Sequence, residues 1–422
     1  MADEMKVLIV NTFDTSGGAA RAAYRLHRAM QSIGVGSQML VQCKTGDDYT
    51  VIGPQTKVQK ALCLIRPELD ALPVRQYKNK TRTLFSPSWL PFSGVVDKIN
   101  ASDADIVHLH WIAKGMMRIE DIARIKKPVV WSLHDMWAFT GGCHIDSGCG
   151  KYVSRCEACP VLGSTRKGDL SYRIFLRKAK TYAKIPFLTI VSPSRWLATC
   201  AQNSALLADK CVVTVPNPID THTFRPFNKE IARDMLGLPQ DKKLVLFGAM
   251  DVTSDPNKGF TQLTTVMHTI KSADLELAVF GASRPINAPD FGFPAHYLGY
   301  MSNDLSLRIL YAAADVMVVP SMQEAFGQTA SESMACGTPV VAFGATGLLD
   351  IIDHQQNGYL ATPYDPTSLA EGIDWVLNHP TPQDLSKNAR RKVMEKFEAT
   401  NVARQYVALY EDVLRKGRSS VC

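Results

Sequence analysis

The stretch DVMVVPSMQEAFGQTASESMACGTPVVAFG, residues 315–344, decides the fold. It opens with an apolar run that ends at Pro320, passes through a turn into a helical pattern, and closes with a second apolar run after Pro339. Short apolar runs joined by a helix are typical of parallel strands buried on both faces. The stretch therefore predicts one β-α-β unit of a doubly wound sheet.

The same alternation recurs along the chain and predicts two α/β domains of Rossmann-like type. The candidate strands of the first series are residues 6–10, 37–41, 105–110, 128–133, 188–192 and 211–215, and those of the second are 243–248, 275–281, 314–321 and 339–344. A Pro- and Asn-rich segment, 215–228, has no helical period and marks the junction. We predict domains over 1–218 and 219–400 that face a cleft, and a closing helix in 401–422 that packs back on the first domain.

Composition indicates an ordinary globular protein, with 46% hydrophobic and 21% charged residues among 422. No apolar run reaches the roughly 18–20 residues that a membrane span needs. The first ten residues, MADEMKVLIV, carry no basic region or cleavage site, so we expect a cytoplasmic protein.

Charge is divided unevenly along the chain. Residues 1–200 hold 28 Lys and Arg against 16 Asp and Glu, a net charge of +12, whereas residues 201–422 hold 19 against 24, or −5. A basic first half suits a membrane-facing or phosphate-facing domain, and an uneven solvated surface is the alternative.

The opening stretch carries two glutamates, Glu324 in the turn and Glu332 in the following helix. Eight residues of helix span about 12 Å, more than the separation in glycosidase carboxylate pairs, so separate roles fit better. The helix start near Gly327, Gln328 and Thr329 favours a phosphate, because unpaired N–H groups and the helix dipole point there. Two solvated glutamates on a surface helix are the alternative.

Other candidates follow predicted strands, where ligands of doubly wound domains bind. Lys258 follows the strand 243–248 and is a candidate for binding phosphate, or an ordinary loop lysine. Gly17 and Gly18 follow the first strand and would let a ligand approach the backbone, with Arg21 one turn into the helix.

Two histidines, His110 and His134, end neighbouring candidate strands and would both point at the cleft, the second with Asp135 beside it. His108 lies two residues before His110, on the same face of the strand but deeper, and is predicted to be a core residue.

A cysteine-rich loop over 141–160 spaces four thiols as C-x5-C-x6-C-x2-C: Cys143, Cys149, Cys156 and Cys159. Four thiolates within seventeen residues can hold a structural zinc, while a disulfide and free thiols are the alternatives. Four sulfur ligands would leave no open position for catalysis by the metal.

Two basic segments suggest contact with an anionic membrane. Residues 171–187, SYRIFLRKAKTYAKIPF, combine cations with apolar residues as an amphipathic helix would, and residues 75–82, RQYKNKTR, add a second cluster. The alternative for the first is a helix packed on its own domain. No recognised nucleic-acid motif accompanies these clusters, and we expect no nucleic-acid partner.

Six motifs in order resemble glycosyltransferase family 4, the retaining enzymes of the GT-B fold. They are NTFDTSGGAARAAYRL, DIVHLHW with VVWSLHDMW, VPNPIDTHTF, FGAMDVTSDPNKGF, EAFGQTASE with MACGTPVVAF, and GYLATPYDPTSLAEGI. The resemblance covers most of the chain and is strongest to enzymes that build bacterial surface polysaccharides.

The resemblance implies roles for the candidate residues. Glu324 and His110 would contact the donor sugar, Glu332 the ribose, and Lys258 the leaving diphosphate. Phe326 would join the helix start in the donor site, with Gly17 and Gly18, whereas His134, Asp135 and Arg21 would serve the acceptor.

One position departs from the family pattern. Many members carry an arginine where this chain reads Gly248-Ala249-Met250, and Arg284 is a candidate replacement.

The function implied is transfer of a sugar from a UDP- or GDP-linked donor to a lipid-linked or growing polysaccharide acceptor, at the inner face of the cytoplasmic membrane. The departing phosphate would take the acceptor proton, and no catalytic cofactor or metal is expected. The rivals are a nucleotide-sugar epimerase of the same fold and a non-catalytic nucleotide-sugar-binding protein.

Overall fold

A computed structural model describes residues 5–185, 187–248, 255–270, 274–285, 288–301 and 303–419. For residues 417–419 it describes the backbone only. The chain divides into two compact units. The first comprises residues 1–218 together with 400–422, and the second comprises residues 219–399.

The first unit is a parallel sheet covered by helices. Its strands are β1 (Lys6–Phe13), β2 (Gly36–Cys43), β3 (Val51–Ile52), β4 (Ile106–Leu109), β5 (Val129–Ser132), β6 (Thr189–Ser192) and β7 (Cys211–Thr214). Its helices are α1 (Gly18–Ser32), α2 (Lys57–Arg75), α3 (Val95–Ala101), α4 (Leu170–Tyr182), α5 (Arg195–Gln202) and, from the end of the chain, α12 (Ala399–Ser419).

The second unit repeats this architecture. Its strands are β8 (Lys243–Gly248), β9 (Leu275–Phe280), β10 (Ala295–Tyr297), β11 (Val316–Val319), β12 (Val340–Phe343) and β13 (Gly358–Ala361). Its helices are α6 (Lys229–Leu236), α7 (Phe260–Thr269), α8 (Asp304–Ala313), α9 (Gln328–Ala335), α10 (Pro366–Leu377) and α11 (Pro382–Lys396).

Strand order places one crevice in each sheet. Within the described residues the orders are β3-β2-β1-β4-β5-β6-β7 and β10-β9-β8-β11-β12-β13, with all pairs parallel. The order therefore reverses between β1 and β4 and again between β8 and β11. In such sheets ligands bind at the carboxyl ends of the strands beside the reversal.

All ten predicted strands are present, and the prediction of two doubly wound α/β units is confirmed. The sequence reading missed β3, β10 and β13, which lie at the edges of the two sheets. These strands are two to four residues long and are covered less completely, so they lack the apolar runs that identify central strands.

The C-terminal helix packs on the first unit, as predicted. The hydroxyl of Tyr410 lies 2.7 Å from Nδ1 of His108, and that of Tyr406 lies 2.9 Å from Oγ of Ser132. His108 Nε2 in turn lies 2.8 Å from Ser132 Oγ, and all four side chains are buried. His108 is therefore a core residue whose ring nitrogens are bonded to Tyr410 of α12 and to Ser132 of β5.

The predicted membrane helix is α4, and its apolar side packs into the first unit instead. Ile174, Phe175 and Tyr182 are buried, and Lys178 is fully buried with its ammonium group bonded to backbone carbonyls of Trp137 and Thr140. α4 is therefore mainly a core helix, which was the alternative reading. None of the helices in the described ranges has the length and hydropathy of a membrane span.

We expect Tyr410→Phe to lower the free energy of unfolding by about 1–3 kcal/mol, because it leaves Nδ1 of His108 buried without its partner. Urea denaturation measures this. The control is Tyr49→Phe, which removes the same hydroxyl from a side chain that is 92% exposed. Equal stability of the two variants would contradict the role assigned to α12.

Candidate active site

The crevice of the second sheet holds a cavity open to solvent, with about 210 Å³ of empty space. It lies where β8 and β11 end, at the reversal of strand order. Its lining comprises Phe247, Gly248, Lys258, Val318, Val319, Pro320, Ser321, Glu324 and Thr329. Three predicted site residues, Lys258, Glu324 and Thr329, are thus brought together.

Lys258 and Glu324 form an ion pair in this cavity. Nζ of Lys258 donates to Oε1 of Glu324 over 2.7 Å, and the two side chains are 22% and 18% exposed. Burial alone would lower the pKa of Lys258, but the charge and hydrogen bond of Glu324, with the charge of Asp255, outweigh it and raise the pKa. The lysine is therefore firmly cationic at the edge of the cavity.

Backbone geometry fixes Lys258 beside Glu324. The Asn257 side chain donates to the carbonyl of Gln323 over 2.8 Å, and the Met322 N–H donates to the carbonyl of Asn257 over 2.9 Å. Gly259 has φ +73°, and a Cβ there would lie 2.0 Å from the carbonyl oxygen of Pro320. Glycine is thus required for the two loops to approach so closely.

Glu324 is held from the other side by the segment after β12. Its N–H donates to Oγ1 of Thr346 over 3.1 Å, and its carbonyl accepts from Gly347 N–H over 2.9 Å. Thr346 has φ +56°, a conformation that is costly for a β-branched residue. Neither Thr346 nor Asn257 was identified from the sequence, because backbone and loop contacts leave no signature in residue type.

The helix after Glu324 begins as predicted, at Gln328 with Gly327 as its N-cap. Gly327 has φ +105°, and a Cβ there would lie 2.7 Å from Leu348 Cδ2. Thr329, in the first turn, lines the cavity. The amino end of α9 and its dipole therefore face the same space as Lys258.

Two further predicted donor residues, Phe326 and Glu332, lie elsewhere in the second unit. Phe326 is buried and packs edge-on against Phe397, with 5.3 Å between ring centroids. Glu332 is 2% exposed, and its Oε2 accepts from the Tyr311 hydroxyl over 2.9 Å. Neither lines the cavity, so the ribose role of Glu332 remains a prediction.

Ala249 and Met250, the positions where an arginine was expected, lie outside the described residues. Arg284 is exposed after β9 and does not line the cavity.

The first unit has a comparable cavity, with about 220 Å³ of empty space, at the ends of β4 and β5. His110, His134 and Asp135 line it, together with Trp111 and Trp137. The three predicted residues are therefore neighbours.

His110 and His134 share a hydrogen bond, with 2.8 Å between Nδ1 of the first and Nε2 of the second. Nε2 of His110 is buried and has no hydrogen-bond partner among the described residues. Burial holds the pKa of His110 well below its ordinary value and lowers that of His134 to about 4. Both rings are neutral at pH 7, and the free nitrogen of His110 suits a ligand hydroxyl.

Asp135 organises this cavity. Its Oδ2 accepts from Nε1 of Trp111 over 2.7 Å and from Nδ1 of His144 over 2.6 Å, and its Oδ1 accepts from Trp137 N–H. Burial favours the protonated form, but His144 and these hydrogen bonds outweigh it and lower the pKa of Asp135. His144 was missed because it falls within the cysteine-rich loop; its Nε2 lies 2.9 Å from Oγ of Ser86.

Gly17 and Gly18 lie at the start of α1, beyond the end of β1. A Cβ at either position would have no atom within 4 Å, so the backbone there borders open space. Arg21 is half-buried one turn on, and its N–H donates to the Gly17 carbonyl.

The four cysteines of the loop are free thiols. Cys143, Cys156 and Cys159 are buried, and burial raises the pKa of Cys156 to about 12. In the described part of the chain, no three His, Cys, Asp or Glu side chains form a group that could hold a metal ion. The structural zinc therefore remains a prediction from the spacing of the cysteines.

Comparison with known proteins gives a family for part of the chain. Residues 228–392 match the family described as "Glycosyl transferases group 1". An uncharacterized glycosyltransferase of Methanocaldococcus jannaschii is 35% identical over 190 residues, 42% of this chain and 47% of that protein. D-inositol 3-phosphate glycosyltransferase 1 of Catenulispora acidiphila is 29% identical over 259 residues, 54% and 60% of the two chains. The chain thus spans about half the length of these relatives.

Solved structures show the fold. Sucrose-phosphate synthase from Thermosynechococcus elongatus aligns with a TM-score of 0.67 and 19% identity over 98% of this chain and 100% of that one. Anabaena HepE in complex with UDP and glucose aligns with a TM-score of 0.64 and 16% identity over 97% and 100%. The fold is GT-B, as predicted.

We expect Gly259→Ala to lower the free energy of unfolding by about 2 kcal/mol or more, because its Cβ would collide with the Pro320 carbonyl. The matched control is Gly237→Ala. Gly237 also has positive φ, +64°, but a Cβ there would meet nothing within 4 Å, so the cost is about 1 kcal/mol. Equal losses in urea denaturation would show that the close approach is unimportant.

Stability of the first unit should fall as the pH drops from 6.5 towards 4. Burial lowers the pKa of His27 and His134 to about 4 and of His108 to about 3, from an ordinary value of 6.5. The unfolded chain therefore binds more protons in this window, and each histidine contributes up to about 1.4 kcal/mol per pH unit.

Urea denaturation at several pH values, followed by tryptophan fluorescence, measures this, because five of the six tryptophans lie in residues 1–218. His27→Gln, a change remote from the cavity, should reduce the pH dependence of the free energy of unfolding by the contribution of one histidine. A free energy of unfolding that stays constant between pH 7 and 5 would contradict the expectation.

Proposed function

We propose that the chain is a retaining glycosyltransferase that moves a sugar from a nucleotide diphosphate donor to an acceptor hydroxyl. The observation that carries this proposal is the ion pair of Lys258 and Glu324 in the cavity that the start of α9 also faces. A cation and a helix amino end on one small space suit a diphosphate. The match of residues 228–392 to glycosyl transferases group 1 supports it.

The chemistry is mainly stabilisation of the leaving group. The bond between the anomeric carbon and the phosphate oxygen breaks, and the acceptor oxygen bonds to that carbon on the same face. The acceptor proton passes to the departing phosphate oxygen. Lys258 and the helix dipole hold the negative charge that develops on the diphosphate, in a site already oriented for it.

Glu324 has two roles in this proposal. In the structure it pairs with Lys258, and this pairing keeps the ammonium group cationic and aimed at the cavity. When a donor binds, its phosphates compete for the lysine, and the carboxylate becomes available to sugar hydroxyls. After the exchange Lys258 is paired with the diphosphate and Glu324 is hydrogen-bonded to hydroxyls, so neither charge is left without a partner.

In this proposal the cavity of the first unit binds hydroxyl groups. We propose that the unpartnered Nε2 of His110 bonds to a sugar hydroxyl, and that His134 and Asp135, with Trp111, serve the acceptor. Neutral rings are suited to hydrogen bonding of uncharged hydroxyls. Gly17 and Gly18 leave room for a ligand at the end of β1.

The acceptor we propose is lipid-linked or a growing polysaccharide of a bacterial surface, reached at the inner face of the cytoplasmic membrane. The basic balance of residues 1–200 supports an anionic surface as partner. The relatives' names include D-inositol 3-phosphate glycosyltransferase and N-acetyl-alpha-D-glucosaminyl L-malate synthase, so small acceptors are the competing class. A UDP-linked sugar is the first donor to test, since HepE binds UDP-glucose.

We expect Glu324→Gln to reduce sugar transfer by about a hundredfold or more, because the amide cannot pair with Lys258 or accept as strongly from the sugar. The assay incubates UDP-, GDP- and dTDP-sugars with a membrane lipid extract and follows labelled sugar into product. Thermal stabilisation by each donor reports binding separately. Glu230→Gln, an exposed glutamate of α6, is the matched control.

The same assay separates the rival functions. Conversion of the donor sugar without any acceptor would indicate an epimerase, and donor binding without either reaction would indicate a binding protein. Transfer by Glu324→Gln at the wild-type rate would refute the role of Glu324.

A further inference from the structure

Helix α2 exposes an unusual number of large apolar side chains. Five of them recur at intervals of four and three residues, which places them in one stripe along the helix. The stripe comprises Val58, Leu62, Ile65, Leu69 and Leu72, with exposed fractions between 40% and 68%. We call these five residues the α2 stripe.

More apolar surface lies beside the α2 stripe. Leu64 on the same helix is 74% exposed, and Phe92 on the following loop is 95% exposed with φ +60°. Large aromatic side chains are rarely left so open, least of all in a strained backbone conformation. The backbone at Phe92 therefore adopts an unfavourable conformation in which the aromatic ring is exposed.

The inner side of α2 is hydrogen-bonded to neighbouring segments of the first unit, which fixes the orientation of the helix. Asp70 is buried and accepts from the N–H groups of Ser88 and Trp89 over 3.3 and 3.2 Å. The Arg66 guanidinium donates to the carbonyls of Gly115 and Pro91, the residue before Phe92. These bonds hold α2 and the Phe92 loop as one surface whose apolar side points outward.

This surface is strongly basic. Residues 57–82 contain seven Lys and Arg against two Asp and Glu, a net charge of +5. Of the two acids, Asp70 is buried and Glu68 is paired with Arg75. The exposed cations are Lys57, Lys60, Arg75, Lys78, Lys80 and Arg82.

We propose that the α2 stripe and Phe92 insert into the surface of an anionic lipid bilayer, with these cations bound to its headgroups. Apolar side chains along a helix, with cations on the helix and in the segment that follows it, are an arrangement that binds the interface of such a membrane. A second copy of the chain fits poorly, because pairing the stripe with itself would bring two +5 surfaces together. The surface identified here replaces α4, whose apolar side is buried.

The inference extends the proposed function, whose lipid-linked acceptor would lie in such a bilayer. It is tested without sugar transfer, so either one can fail while the other stands.

The experiment is flotation of the full chain with vesicles of phosphatidylcholine alone, or of phosphatidylcholine and phosphatidylglycerol in equal parts. We expect binding to the mixed vesicles that weakens with added salt. Leu62→Ser/Ile65→Ser/Leu69→Ser should weaken it by about tenfold or more. Lys78→Gln/Lys80→Gln/Arg82→Gln should weaken it by about a hundredfold.

Two control variants change other surfaces. Ile231→Ser/Met235→Ser removes apolar side chains that are 51% and 59% exposed on α6, and Arg173→Gln/Lys180→Gln removes exposed cations of α4. Both should bind vesicles as the wild type does. Thermal unfolding of every variant checks that the fold is intact.

Several results would overturn the proposal. They are no vesicle binding by the wild type, unchanged binding by the stripe variant, or binding lost only when α4 is changed. A dimer in sedimentation that the stripe variant abolishes, without vesicle binding, would assign the surface to a second copy instead.

Discussion

A lysine and a glutamate 66 residues apart in sequence meet at 2.7 Å in the second unit, and the backbone on both sides is arranged around that meeting. Gly259 lets one loop pass against the Pro320 carbonyl, and Thr346 accepts a positive φ to bond the N–H of Glu324. Each of these conformations costs energy, and each brings opposite charges together at the reversal of strand order. The proposed chemistry depends on this ion pair. It holds the ammonium group of Lys258 at the cavity, where the diphosphate of a donor can take the place of the Glu324 carboxylate.

The fold was predictable because central parallel strands are buried on both faces, which leaves apolar runs such as VMVV of β11 in the sequence. The edge strands β3, β10 and β13 escaped that reasoning, since a short strand covered on fewer sides needs no such run. Within the candidate site, Lys258 and Glu324 were predictable from their position just after strands. Phe326 and Glu332 are buried. Their burial was not predictable, because a sequence motif gives the spacing of residues but not which side chains pack inward.

Helices α2 and α4 also show that the sequence does not reveal which side of an element is buried. Both combine cations with apolar residues, and the sequence alone favoured α4 as the membrane-facing one. In the structure Arg177 of α4 is bonded to Glu120 and Lys178 is buried, whereas α2 turns only a narrow side inward. Which amphipathic face is covered depends on neighbours that are distant in sequence, and local pattern does not contain them.

The discontinuity of the first unit determines the order in which the molecule can be completed during synthesis. His108 and Ser132 obtain the hydroxyls of Tyr410 and Tyr406 from α12, which is synthesised after the whole of the second unit. Residues 219–399 form an uninterrupted unit that can close earlier. The first unit therefore starts before the second and is completed after it, and until α12 is made the side chains of His108 and Ser132 lack these two hydrogen-bond partners.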